Sequence, residues 1–407
     1  MLSAAQMARM SRLLDEALDL DSAARRRWLE ALAPEHEDLL AALRQALLSE
    51  GDQVSDPARI RTNPIGRCAQ QAGEFVGPYR LIRPLGTGGM AEVWLAQRAD
   101  GAFNREVALK LPMLDSLRED LASRFARECD ILAALNHPNI ARLYDAGVSE
   151  QGLPYFAMEF VAGQPLIVWC NSHRLGVRER LKVFLQVLDA VQYAHGQQVI
   201  HRDIKPSNIL VTGSGQARLL DFGVAKLLAN QDEQTQLTQL YGPALTPEYA
   251  SPELVRGDAI DAAADVYSLG VVLCELLCGR HPYHCAGSPM ALLEAIATTP
   301  VQPPSMHLGR SAGADTNTTQ DKLARQLRGD LDAIVLKALA KAREDRYRGV
   351  AALADDLQRY LSGRPVAARP NRLAQRASKF VLRHRAGAVA ASVALLVALA
   401  VVYVLLQ

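Results

Sequence analysis

Four side chains near the middle of the sequence have the types and spacing that phosphoryl transfer needs. Residues 201–209 read HRDIKPSNI, and a DFG tripeptide begins at Asp221. Asp203 can accept the proton of an attacking hydroxyl, while Asn208 and Asp221 offer oxygen ligands of the kind that magnesium prefers. Lys205 adds an ammonium group beside them. The pattern therefore indicates a site that works by positioning a nucleotide, a metal ion and a hydroxyl.

The composition of the 407-residue chain is ordinary for a soluble protein, with 49% hydrophobic and 22% charged residues. The length allows two or three structural units. A net charge of +1 provides no global field that would attract nucleic acid, and no nucleic-acid partner is expected. Arg outnumbers Lys and Ala is abundant, which is typical of GC-rich bacterial coding sequences. The six cysteines lack a C-x-x-C pair and fit a reducing cytosol.

A cluster of cysteines and histidines offers zinc binding as an alternative chemistry. It comprises Cys274, Cys278, His281, His284 and Cys285. The two ligand pairs that a structural zinc site needs are not present at the usual spacing. The first two cysteines fall in an apolar run, where a buried cysteine behaves as a small hydrophobic residue. The buried interpretation is favoured.

The C-terminal end of the sequence has the length and composition of a membrane span. Residues 386–406 contain no charged residue, and a helix of that length spans about 31 Å, which matches a hydrocarbon core of about 30 Å. A buried core helix this long would carry polar interruptions. The basic connector before it, residues 362–385, is expected on the cytoplasmic side. The sequence thus predicts a single-pass protein of the bacterial inner membrane, cytoplasmic before residue 386, with no outer domain after the span.

The N-terminal end carries helical periodicity and no signal peptide. Residues 1–50 have leucines at three- and four-residue steps, which predicts a small helical module. The pattern leaves open whether this module binds a partner or braces the next domain. Residues 51–78 contain four Gly and three Pro residues and are predicted to be a linker.

The central part of the chain changes from strand patterns to helix patterns. Strand patterns dominate residues 79–161, and helical periodicity dominates residues 162–361. Within the second part, residues 300 to about 326 are rich in Pro, Ser, Thr and Asn. That composition predicts a surface loop.

Residues 79 to about 361 resemble a membrane-anchored bacterial serine/threonine protein kinase of the eukaryotic-like, or Hanks, type. The motifs occur in the order of that family: a glycine-rich turn at 86–91, VALK at 107–110, HRD, DFG, and TPEYASPE at 246–253. The resemblance implies an α+β, bilobal fold. A β-rich N-lobe would span 79–161 and a helical C-lobe 162–361, flanked by the helical module and the transmembrane helix.

The resemblance also implies ATP and Mg²⁺ as cofactors, with Mn²⁺ as an alternative metal. Ala91 stands where the family has its third glycine. Residues 158–161 correspond to the hinge that joins the two lobes, with Met158 as the gatekeeper, and backbone groups of Glu159 and Val161 would bond the adenine. The residues assigned to ATP in this way are Leu85, Gly86, Thr87, Gly88, Gly89, Met90, Ala91, Glu92, Val93, Ala108, Lys110, Met158, Glu159, Val161 and Leu210.

The catalytic roles follow from the same motifs. Lys110 corresponds to the strand lysine that contacts the α- and β-phosphates, and Glu128 is expected to pair with it. Lys205 corresponds to the lysine that neutralises the γ-phosphate in serine/threonine kinases. Thr246 would hydrogen-bond Asp203 and Lys205, which again favours serine/threonine over tyrosine specificity.

Four further residues are implied to support the site. Arg202 beside the catalytic aspartate calls for an anionic partner, such as a phosphate on the activation loop. Thr235 and Thr238 are the candidate phosphosites, although a threonine-rich loop can also be merely polar. The supporting residues are Arg202, an expected Glu253–Arg346 ion pair, and Asp265, which would hold the catalytic loop.

Two other functional classes are weighed against an active protein kinase. A pseudokinase acting as a scaffold would usually lack Lys110, Asp203 or Asp221, and all three are present. A small-molecule kinase of related fold would lack the 246–253 segment. Protein substrates are therefore expected, and membrane confinement suggests a homodimer that autophosphorylates in trans.

Overall fold

A computed structural model describes the chain from residue 70 to residue 369 with gaps. The described residues are 70–88, 91–101, 105–112, 129, 132–150, 152, 154–222, 247–283, 288–309, 312, 316 and 318–369. The chain divides into two units, Met1–Gln70 and Gln71–Gln407. The predicted helical module 1–50 and the predicted span 386–406 lie outside the described residues and stay predictions. Among the residues described, no helix combines the length and hydropathy that a bilayer crossing requires.

Alternating apolar residues build an antiparallel sheet in the first part of the second unit. Its strands are β1 (Phe75–Val76), β2 (Tyr79–Gly88), β3 (Ala91–Arg98), β4 (Glu106–Pro112), β5 (Leu143–Val148) and β6 (Pro154–Glu159). They lie in the order β1-β2-β3-β4-β6-β5. In β4, Val107, Leu109 and Leu111 are buried while Ala108 and Lys110 lie on the opposite face, as a period of two requires.

The first strand lies inside the stretch predicted as a linker, so the linker boundary at residue 78 was wrong. Phe75 and Val76 pair with Arg80 and Tyr79, and Val76 is buried. A strand of two residues carries no periodicity that the sequence could reveal. This strand is held in place by its pairing and contacts with β2.

Helices with apolar faces form the second part, together with a small sheet of β7 (Gly163–Pro165), β8 (Ile209–Thr212) and β9 (Ala217–Leu219). The helices whose bounds the structure describes are α1 (Leu166–Ser172), α2 (Val177–Gly196), α3 (Pro252–Arg256), α4 (Ala262–Cys278), α5 (Pro289–Thr298), α6 (Gln320–Leu327), α7 (Asp330–Ala338) and α8 (Val350–Leu361). Helix α4 is buried almost all round because its residues are almost all apolar.

The segment predicted as a surface loop, residues 300 to about 326, contains folded structure in its described part. A 3₁₀ turn at Pro304–Met306 is fixed by the Asp332 carboxylate, which accepts hydrogen bonds from the Ser305 backbone N–H and hydroxyl at 2.9 and 2.7 Å. Helix α6 then begins with a Thr319 cap and buries Leu323 and Leu327. The polar composition of the segment obscured the helical spacing of Leu323 and Leu327, so the helix was not predicted.

The folded domain also continues past residue 361, into the segment predicted as a connector. The Asp356 carboxylate accepts hydrogen bonds from the backbone N–H groups of Ala367 and Ala368 at 2.6 and 2.8 Å. Val366 is buried against the main core. Residues 362–369 therefore form part of the C-lobe, and the connector boundary at 362 was wrong.

Cys274 and Cys278 are fully buried in α4 with their sulfur atoms 3.8 Å apart, as the apolar run indicated. His281 donates its Nε2 hydrogen to the Glu248 carbonyl oxygen at 2.8 Å. In the described part of the chain no three His, Cys, Asp or Glu side chains are placed to hold a metal ion. His284 and Cys285 lie outside that part.

A buried ion pair joins Glu253 in α3 to Arg346, which lies in the turn before α8. Arg346 donates from Nη1 and Nη2 to the two Glu253 carboxylate oxygens at 2.7 and 2.8 Å. Its remaining donors reach the carbonyl oxygens of Ala263, Ala340 and Lys341. Burial by itself raises the pKa of Glu253, but the hydrogen bonds and charge of Arg346 outweigh it and hold that pKa below its usual range.

We expect Glu253→Gln to lower the free energy of unfolding by about 3 kcal/mol, because it leaves the Arg346 charge buried without a counter-ion. The partly exposed Arg343–Asp261 pair provides a matched control. Arg343→Gln should cost less than about 1 kcal/mol. Urea unfolding of both variants measures the two losses of unfolding free energy. Equal losses would contradict the conclusion that the buried Glu253–Arg346 pair stabilises the fold more than the partly exposed pair.

Candidate active site

The catalytic loop is held by one buried carboxylate from α4. Asp265 accepts hydrogen bonds from the backbone N–H groups of His201 and Arg202 at 2.8 and 3.0 Å. It also accepts from His195 Nε2 at 2.7 Å, at the end of α2. Arg202 has φ +64°, a left-handed conformation that costs a non-glycine residue about 1–3 kcal/mol. The Asp265 bonds offset that cost and fix the backbone just before Asp203.

His201 is buried among these residues and acts as a structural bridge. Its Nε2 donates to the Leu220 carbonyl oxygen at 2.9 Å, and its Nδ1 accepts from the Asp203 backbone N–H at 3.3 Å. These partners assign the neutral tautomer protonated at Nε2. Burial lowers the pKa of the imidazole, and nearby carboxylates only partly oppose that effect. The ring contacts Phe222 with centroids 4.7 Å apart.

Asp203, Lys205 and Asn208 form a connected polar group at the mouth of the loop. Lys205 Nζ lies 3.1 Å from Asp203 Oδ2, and Asn208 Nδ2 donates to the same oxygen at 3.0 Å. Asn208 Nδ2 also donates to the Asp203 carbonyl oxygen at 2.8 Å. The amide is thereby oriented, and Asn208 Oδ1 is the atom of this side chain that can ligate a cation.

The Asp221 carboxylate has a buried oxygen that fits a metal ion. One carboxylate oxygen, Oδ2, lies 3.1 Å from Lys110 Nζ on β4. The other, Oδ1, is buried and accepts no hydrogen bond from any described residue. A buried oxygen of this kind needs a partner. The backbone N–H of Leu220, the residue before Asp221, donates to the Asn208 carbonyl oxygen at 2.8 Å and so links the two predicted ligand residues. Their side-chain oxygens form a donor set that fits Mg²⁺.

Three of the predicted adenine residues, Val93, Ala108 and Met158, lie on the face of the N-lobe sheet that carries Lys110. Val93, Ala108, Met158 and Leu210 are each half-buried, unlike the fully buried residues on the opposite face of β4. Met158 pairs with Ala108 across β4 and β6. Val161 is buried just beyond β6. An apolar ring placed against this face would complete its burial.

The described residues of the glycine-rich segment 86–91 lie at the end of β2 and the start of β3. Gly86, Thr87 and Gly88 pair with Val93, Glu92 and Ala91 respectively. A Cβ atom on Gly86 would meet nothing within 4 Å, and Leu85 beside it is half-buried. Ala91 is buried. Glu92 accepts a hydrogen bond from Trp94 Nε1 at 3.2 Å.

Several predicted site residues lie outside the described part, and their roles stay predictions: Gly89, Met90, Glu128, Thr235, Thr238 and Thr246. The sequence also missed two partners of the site. His195 bonds Asp265 from 70 positions away, and Arg218 pairs with Glu159 at 3.0 Å. Neither residue belongs to a motif, and both contacts are long-range, so no local signal could have found them.

The sequence matches the family model described as "Protein kinase domain" over residues 79–356. That match covers more than half of the chain. This chain belongs to the protein kinase family. The predicted kinase fold, with a β-rich N-lobe and a helical C-lobe, is confirmed.

Similar proteins place this kinase among bacterial serine/threonine kinases, as the motifs predicted. It is 38% identical over 294 residues to serine/threonine-protein kinase PknB of Mycobacterium leprae. It is 36% identical over 297 residues to the probable serine/threonine-protein kinase SCO3848 of Streptomyces coelicolor. The alignments cover 70% and 72% of this chain, but only 43% and 41% of those proteins.

A solved structure shows the same fold. The crystal structure of a mutant form of the Mycobacterium tuberculosis PknI kinase domain superposes with a TM-score of 0.51 at 27% identity. The match covers 72% of this kinase and 99% of the PknI chain. The described lobes are thus those of a bacterial kinase domain.

We expect the stability of this kinase to fall on acidification partly through His201. Its folded pKa lies below its ordinary value of 6.5, so the unfolded chain takes up a proton that the folded chain resists. That stability is present above pH 6.5 and is lost as the pH falls towards the folded pKa, with a slope of at most about 1.4 kcal/mol per pH unit.

The check is urea unfolding from about pH 7 to about pH 5, with His201→Gln beside the wild type. Gln can still donate and accept a hydrogen bond but does not titrate. The variant should show a shallower decline of unfolding free energy with falling pH. An unchanged slope would rule out His201 as a contributor.

Proposed function

We propose that this protein is an active serine/threonine protein kinase that transfers the γ-phosphate of ATP to protein hydroxyls. The observation that carries the proposal is the pair of contacts that join its charged groups. Asp203 contacts Lys205 at 3.1 Å, and Asp221 contacts Lys110 at 3.1 Å. A carboxylate that receives a proton and a carboxylate that can hold a metal thus each lie beside an ammonium that can neutralise phosphate.

Each side chain has a role in this chemistry. The Asp203 carboxylate orients the substrate hydroxyl and accepts its proton, while Lys205 neutralises the transferring phosphate. Lys110 contacts the phosphates on the N-lobe side of the cleft. Asn208 Oδ1 and the buried Asp221 Oδ1 would hold Mg²⁺. When bound, the metal supplies charge neutralisation at the phosphates.

The main competing function is a nucleotide-binding scaffold without catalytic activity. Lys110, Asp203 and Asp221 are all present and are held by the contacts described above. A scaffold has no need of an oriented Asp203, so activity is favoured. Specificity for serine and threonine rests on Lys205 and on the predicted role of Thr246.

The setting of this activity is also proposed. The apolar segment 386–406 and its basic flank support a single-pass anchor in a bacterial inner membrane, with the kinase domain in the cytoplasm. Confinement in the membrane would raise the local kinase concentration and favour autophosphorylation of Thr235 or Thr238 in trans, in a homodimer. Its protein substrates would carry a signal onward.

We expect the full chain to incorporate phosphate from ATP and Mg²⁺, and Asp203→Asn to lose about a hundredfold or more of that rate because the proton acceptor is removed. Intact mass and phosphosite mapping measure the incorporation. Asp355→Asn, which changes an exposed aspartate on α8, is the matched control and should retain wild-type incorporation.

Two outcomes would contradict the proposal. Equal incorporation in wild type and Asp203→Asn would place the catalysis elsewhere. ATP binding without any incorporation, in chains reconstituted at high density in vesicles, would favour the scaffold function instead.

A further inference from the structure

The hinge between the two lobes carries a side-chain contact that the catalytic roles above do not use. Glu159, the last residue of β6, places its Oε1 atom 3.0 Å from Arg218 Nη2. Arg218 lies in the middle of β9, in the other lobe. Both side chains are about four-fifths buried, with 21% and 20% of their surface exposed. The contact is therefore partly shielded from solvent, where an ion pair is screened less than at the surface.

The same two residues join a third segment of chain. The Glu159 backbone N–H donates to the Arg142 carbonyl oxygen at 2.8 Å, and the Arg142 backbone N–H donates to Glu159 Oε2 at 3.3 Å. Arg218 Nη1 reaches the Ile140 carbonyl oxygen at 3.5 Å. We call this group, Glu159, Arg218, Arg142 and Ile140, the hinge junction. Each oxygen of the Glu159 carboxylate has its own donor within it.

Through β9, the hinge junction is connected both to Leu210 on the predicted adenine face and to the proposed metal ligand Asp221. Arg218 is the cross-strand partner of Leu210, which lies on the predicted adenine face. The next residue, Leu219, bonds Asn139 and Ala141 through its backbone N–H and carbonyl at 2.8 and 2.9 Å. Asp221, with its buried and unbonded Oδ1 atom, follows two positions later. A shift of β9 against the hinge would move the adenine face and the metal ligand together.

We infer that Arg218 is a positioning residue for nucleotide binding, which keeps the hinge backbone at Glu159 in register with the strand that leads to Asp221. The planar guanidinium suits this role because it bonds a carboxylate and a carbonyl oxygen from two segments at once. A lysine has a single nitrogen and would hold the two acceptors less well. The inference rests on the proposed use of ATP.

The test is the dissociation constant of ATP with Mg²⁺, measured by calorimetry on the full chain in the Asp203→Asn background, which suppresses turnover. Arg218→Gln and Glu159→Gln should each weaken binding about three- to tenfold, the range of a partly shielded ion pair. The double variant should be no weaker than either single variant, because both remove the same contact. Arg218→Lys should recover part of the loss.

The matched control is Arg343→Gln. Arg343 also pairs with a carboxylate, Asp261, at 3.5 Å and with a carbonyl oxygen, that of Ala259, at 2.6 Å. These contacts join two segments of the C-lobe that supply none of the cleft residues described above. The ATP affinity of this variant should stay within about twofold of the parent. Thermal unfolding of every variant distinguishes a loss of folded protein from a shift of β9 against the hinge, which would weaken ATP binding in a protein that still unfolds cooperatively.

The outcomes distinguish this inference from the proposed function. A parent that binds ATP, with an Arg218→Gln variant equally tight, would overturn the inference alone. Additive losses in the double variant would do the same, because they would mean that the two residues act independently. A parent that binds no ATP would contradict the proposed function itself.

Discussion

The arrangement of the active site depends on the buried carboxylate of Asp265. It accepts three hydrogen bonds, from the backbone of His201, the backbone of Arg202 and the ring of His195. Hydrogen bonds to a charged acceptor are stronger than neutral ones, and three of them at one buried carboxylate leave little freedom. The strained backbone at Arg202 and the position of Asp203 both follow from this anchor. Helix α4, which carries it, lies almost wholly inside the C-lobe core.

Short contacts connect that anchor to Asn208 and Asp221, the proposed metal ligands. His201 joins the catalytic loop to Leu220, and Asn208 joins Asp203 to the same strand end. Asp221 then reaches across the cleft to Lys110 on the N-lobe sheet. The two lobes are thus connected by the Lys110–Asp221 ion pair at the proposed phosphate end and by the hinge junction at the proposed adenine end. A site that works by positioning needs both connections.

The short motifs predicted which polar side chains meet, because the chemistry they would perform fixes residue type and spacing. Asp203, Lys205 and Asn208 lie within six positions of one another, and the structure brings them into contact. The sequence could not show Arg218 or His195, since their partners come from distant segments. It also misjudged residues 300–326 and 362–369, where a few buried residues such as Leu323 and Val366 decide the fold within polar or basic surroundings.

The most direct test of this account is the single-turnover rate of phosphoryl transfer by Asp265→Asn at saturating ATP and Mg²⁺. An amide at this position retains one acceptor oxygen and presents an N–H₂ group to donors, so at least one loop hydrogen bond is lost. We expect a rate lower by about tenfold or more, since a buried donor left without an acceptor costs about 1–3 kcal/mol, while thermal unfolding remains cooperative. A wild-type rate in this variant would contradict the claim that Asp265 sets the catalytic geometry.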